Sequence, residues 1–94
     1  MTTPIDFKWK MVANGAYEAL AMLSSRQSIL LTATKAMHGK YWFWSAQLHH
    51  DHDDLQEYIE IRLVARTLAE SKEQSEIVVD TLIKTMKALH EVEQ

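Results

Sequence analysis

The stretch Leu48-His49-His50-Asp51-His52-Asp53-Asp54-Leu55-Gln56-Glu57 gathers three of the chain's five histidines and four acids within ten residues. On a helix, His50, Asp54 and Glu57 would share one face, and His49, His52 and Asp53 the adjacent one. Imidazole and carboxylate at such spacings suit Zn, Ni or Fe, above all when a second helix or subunit adds ligands. The same residues would serve equally as a solvated polar turn or helix start, with Asp51 as a cap and the other acids at the positive end of the dipole. Three histidines among acids could also sense pH. The remaining two, His38 and His90, lie beside apolar residues, where a histidine is ordinarily packed with its ring nitrogens satisfied.

A second group is Tyr41-Trp42-Phe43-Trp44, with Met37 just upstream. Four consecutive positions of a helix sweep about 300° around its axis, so these rings cannot all enter one core. Tyr41 and Trp44 fall on an apolar stripe and suit a core. Trp42 and Phe43 are a surplus of the kind that anchors protein interfaces. Met37, Tyr41, Trp42, Phe43 and Trp44 are therefore the candidate partner-binding residues.

His38 followed by His49 and Asp53 resembles, over about twenty residues, the His…His-x-x-x-Asp pattern of the Dps branch of ferritin-like proteins. The sequence has no Glu-x-x-His and no acid pair one turn further on, and the chain is far shorter, so this resemblance assigns no family. Gly-x-Ser-x-Gly and phosphate-cradling glycine loops are also missing. With no cysteine, thiolate metal sites, disulfides and a cysteine nucleophile are excluded.

The elements that would carry these groups read as helices. Thr3-Pro4-Ile5-Asp6 is a helix start, and Val12, Ala16, Ala19 and Leu23 follow at three- and four-residue steps, with Asn14-Gly15 weakening the segment. Leu30, Thr34, Met37, Tyr41, Trp44 and Leu48 continue in the same rhythm. The longest series is Ile61, Val64, Leu68, Ser71, Ser75, Val78, Leu82, Thr85, Leu89 and Val92, a helix-packing seam of coiled-coil type. Ser71-Lys72-Glu73-Gln74 reads as a capping box and a boundary. Two glycines and one proline look too few for a turn-rich sandwich. The expected fold is all-α: one domain over 1–94 with helices near 4–23, 26–49, 52–70 and 72–92. It would be a small antiparallel bundle or a long helical hairpin, completed by oligomerisation.

The 94 residues are 47% hydrophobic and 24% charged, an ordinary globular balance. Charge is uneven, with residues 1–50 summing to +3 (five bases, two acids) and residues 51–94 to −6 (five bases, eleven acids). No basic stripe exists to replace phosphate counterions, which argues against nucleic acid. No apolar stretch reaches the 18 or so residues of a membrane span, and no signal peptide is visible. The expectation is a soluble, cytoplasmic, non-enzymatic helical interaction or assembly protein: an adaptor, chaperone, inhibitor or oligomer subunit. Its partner would be another protein or a second copy, and it would need no cofactor. The alternative is a metal-binding bundle with Zn, Ni or Fe at His49, His50, His52, Asp53, Asp54 and Glu57.

Overall fold

Asn14-Gly15 does not weaken a helix but turns a β-hairpin, joining β1 (Lys10–Ala13) to β2 (Ala16–Met22). Gly15 sits there at φ 76°, a conformation that side-chain-bearing residues rarely adopt. The computed structural model describes residues 5–51 and 56–92. After β2 come β3 (Gln27–Lys35), β4 (Trp42–Asp51) and β5 (Gln56–Ala65), then helices α1 (Leu68–Ile77) and α2 (Val79–Val92). The strands form one antiparallel sheet in chain order, β1-β2-β3-β4-β5.

This architecture overturns the all-α expectation, together with the bundle and coiled-coil readings. Strand alternation decides the sides. Ile29, Leu31 and Ala33 of β3 are fully buried beside Trp44, Ala46 and Leu48 of β4, with which they pair directly. The residues between them face the other way. The segments 4–23, 26–49 and 52–70 therefore hold strands. Of the 72–92 helix, α2 and the second half of α1 remain. The stripe Leu30, Thr34, Met37, Tyr41, Trp44, Leu48 is split between two faces and a turn.

The turns use short-range hydrogen bonds. Ser24 Oγ accepts from the backbone of Arg26 and Gln27, each at 3.2 Å, closing the β2–β3 hairpin. The β3–β4 connection is closed by Ala36 N–H to Tyr41 O at 2.9 Å, with Gly39 at φ 69°.

Both helices cover one face of the sheet, α1 over β3 and β4, α2 over β4 and β5. The start of α1 is not at Ser71. Thr67 caps it, its side chain accepting from Glu70 N–H at 3.1 Å, and Glu70 reaches back to Arg66 N–H at 3.1 Å. Ser71 and Ser75 are instead the buried side of α1, and their small size lets the helix settle on the sheet. Their hydroxyls donate to the helix's own carbonyls, at Thr67 and Lys72. Two indoles fasten the layers: Trp44 Nε1 donates to Gln74 Oε1 at 2.9 Å, and Trp9 Nε1 to Glu76 Oε2 at 3.2 Å. Val78 separates the helices, and Val79, Leu82 and Met86 of α2 complete the core. Among the described residues no helix is long and apolar enough to cross a membrane.

Candidate interaction surface

Among the described residues no helix lies on the second face of the sheet. Its side chains form four rows across β2 to β5: Ala16, Thr34, Phe43, Val64; Glu18, Thr32, Ser45, Arg62; Leu20, Leu30, Gln47, Glu60; and Met22, Ser28, His49, Tyr58. Leu20, Met22, Phe43, Tyr58 and Val64 stand 49–65% exposed. They flank the polar centre on both sides, and Leu20 and Met22 sit opposite Tyr58 across the sheet.

The polar centre is a directed chain. His49 Nε2–H donates to Gln47 Oε1 at 2.9 Å, which assigns the proton to Nε2. Gln47 Nε2 donates to Glu60 Oε2 at 2.6 Å, and Arg62 Nε donates to Glu60 Oε1 at 2.6 Å. The Glu60 carboxylate is thus held by two donors, with its side chain 16% exposed, while the Arg62 side chain is 76% exposed. The His49 ring stacks on Tyr58 at 5.3 Å and 17°. Thr32 and Ser45 share a hydroxyl hydrogen bond of 2.5 Å. Gln47–Glu60, Thr32–Ser45 and His49–Tyr58 are cross-strand neighbours, and His49–Gln47 and Arg62–Glu60 are two apart on one strand, so register and strand alternation together fix the arrangement.

Two shallow depressions lie on this face. One, about 270 Å³, is bounded by Leu20, Met22, Leu30, Arg26, His49 and Gln56. The other, about 250 Å³, lies among Thr32, Phe43, Gln47, Glu60 and Arg62. Both open broadly to solvent, as a contact surface does and an enclosing small-molecule site does not.

The residues expected to bind a partner are divided by strand alternation. Met37 is 97% exposed in the β3–β4 connection. Tyr41 is exposed and meets Phe43 edge-on at 5.5 Å, at one end of the helix-free face. Trp42 turns to the opposite side, half-buried 6.0 Å from Tyr17, and Trp44 is 2% exposed in the core.

The metal candidates are divided in the same way. His49 is on the helix-free face, whereas His50 pairs across the ladder with Glu57 on the other. His52, Asp53 and Asp54 lie outside the described residues. Among the described residues no three metal-ligating side chains come together.

The seam residues also separate. Ile61 packs on the core and Val64 is exposed on the opposite side of β5. Leu68 begins α1, Val78 lies between the helices, Leu82 is buried, Leu89 is exposed, and Val92 ends α2.

Helical periodicity missed Leu20, Met22, Gln47, Tyr58, Glu60 and Arg62. The signal that finds three of them is the period-2 run Tyr58-x-Glu60-x-Arg62, which places an aromatic, an acid and a base on one strand face. No protein family, curated protein or solved structure matches this chain.

Proposed function

We propose that this chain is a non-enzymatic interaction and assembly protein, an adaptor or oligomer subunit that docks protein partners on the helix-free face of its sheet. The observation that carries this reading is the placement of Leu20, Met22, Phe43, Tyr58 and Val64 on that one face, each half-exposed or more. Fully burying a side chain of this kind is worth about 1.5–3 kcal/mol before the costs of association. The interleaved polar chain supplies selection. A partner that covered Gln47, Glu60 and Arg62 without matching donors and acceptors would leave buried polar groups unsatisfied, at about 1–3 kcal/mol each.

The test is size-exclusion elution of the tagged chain from an extract of its source cells, compared with the variant Leu20→Glu/Met22→Glu. Both positions are exposed, so the fold tolerates the charges. The wild type is expected to elute in a larger complex and the variant at the mass of the purified chain. Identical elution of the two would mean that this face docks no partner.

A further inference from the structure

The two edges of the sheet differ in a way that bears on self-association. The β1 edge is four residues long, and its register slips between Met11 and Ala13. Short, irregular edges resist strand addition. The β5 edge is ten residues long, contains neither proline nor glycine, and pairs with β4 in unbroken register from Trp42↔Ala65 to Asp51↔Gln56. It is the last strand of the sheet, and among the described residues no strand lies on its far side. Alternate backbone N–H and C=O groups of an outermost strand point away from its neighbour, and they form a template for another strand.

The sequence of β5 is complementary to itself. Around Ile61 the flanking residues are Glu60 and Arg62, then Ile59 and Leu63, then Tyr58 and Val64. We propose that two copies of this chain pair antiparallel along β5, about a two-fold axis at Ile61, making one ten-stranded sheet. Each Glu60 then stands opposite the second copy's Arg62, on the helix-free face, and this happens twice by symmetry. Tyr58 meets the second copy's Val64, an aromatic against a β-branched residue, and Ile59 meets Leu63 on the helix-covered side. Tyr58, Leu63 and Val64 are the exposed large apolar residues of this strand, and all three gain cross-strand neighbours. Arg62 uses Nε on its own Glu60, which leaves the two terminal nitrogens of a five-donor guanidinium to meet the second carboxylate.

The register is selected by charge and by face. Moving the axis to Glu60 puts two carboxylates directly opposite each other, and moving it to Arg62 puts two guanidiniums there. Directly opposed side chains of an antiparallel ladder share a face, so a one-residue slip would put the two copies' helices on opposite sides and lose the two-fold axis. Only the Ile61 axis pairs unlike charges and keeps both pairs of helices on one side. The dimer edge takes Tyr58, Glu60, Arg62 and Val64 from the margin of the docking face, while Leu20, Met22 and Phe43 lie on other strands. A chain that dimerises but docks no partner, or docks a partner as a monomer, separates this inference from the function proposed above.

The absence of native cysteine makes the register directly readable. Directly opposed residues in antiparallel strands have Cα atoms about 4.5–5.5 Å apart, within disulfide reach. Light scattering on the native chain is expected to give twice the 10.9 kDa chain mass. Ile61→Cys is expected to cross-link with its own copy under mild oxidation. Leu63→Cys is not, because its equivalents lie about 13 Å apart along the ladder.

Ile61 is half-buried, so a second arm starts from the exposed Arg62. Arg62→Glu is expected to weaken self-association about tenfold by setting like charges opposite each other twice. The swap Glu60→Arg/Arg62→Glu is expected to restore it. A native chain that stays monomeric overturns the inference. So does a dimer that cross-links through Leu63→Cys, or one that Arg62→Glu leaves unchanged.

Discussion

Trp44 and Phe43 are neighbours in β4, yet one is sealed beneath α1 and the other stands 49% exposed on the opposite side. The same contrast runs through Leu31 and Leu30, and through Leu48 and His49. The covered face is built for close approach: alanines at 19, 33 and 46, serines at 71 and 75, and indole N–H groups that each find a helix side chain. The helix-free face mixes large apolar side chains with a hydrogen-bonded polar chain that ends in an exposed guanidinium. The two short helices cover one side of the sheet over β3, β4 and β5. The apolar residues on the other side are then available for contact between molecules. Under the proposed docking, β4 serves stability with one set of side chains and recognition with the alternate set.

Substitution at the paired positions should break this symmetry most visibly. Trp44→Ala is expected to cost about 3–5 kcal/mol in chemical denaturation, through lost contacts and a cavity under α1. Phe43→Ala, one residue away, should cost less than about 1 kcal/mol. Equal costs would mean that the two faces are not energetically distinct. Ser71→Leu pushes a larger side chain into a fully buried site, and it should destabilise by about 1–3 kcal/mol with a lowered Tm.

A smaller effect sharpens the role of the covering layer. Thr67→Ala removes the acceptor for Glu70 N–H and should cost about 1 kcal/mol by the same denaturation measurement. On the helix-free face, Leu20→Glu and Met22→Glu should each leave stability within about 0.5 kcal/mol of the wild type. Their consequence should instead appear in partner binding. A large stability loss there would assign these side chains to the fold rather than to recognition.

Part of this organisation was legible in the sequence. The C-terminal helix was readable because Val78, Leu82, Thr85 and Leu89 keep a helical rhythm without turn residues. The strands were hidden because a step of four residues satisfies a strand face as well as a helix face. Only steps of three discriminate, and those in the misleading series, Thr34 to Met37 and Tyr41 to Trp44, leave a strand or change its side. Asn14-Gly15 carried a hairpin signal that the flanking apolar spacing masked. The scarcity of glycine misled in the same direction, since both glycines stand at turns with positive φ and Ser24 closes the β2–β3 hairpin without one. Thr67-Leu68-Ala69-Glu70 has the capping-box form as clearly as Ser71-Lys72-Glu73-Gln74, and tertiary burial decides between them. The aromatic run could be read as a group that must divide. Which rings lie outside depends on the strand period, so Tyr41 joined Phe43 and Trp42 turned away.

If the helix-free face is covered in use, the methionines report it directly. Met22 lies on that face, Met37 is exposed in the β3–β4 connection, and Met86 is buried in the core. Thioether oxidation by peroxide follows exposure. In the purified chain Met22 and Met37 should both oxidise readily and Met86 slowly. In an extract of the source cells Met22 is expected to become protected while Met37 stays reactive. Equal reactivity of Met22 and Met37 in that extract would contradict it.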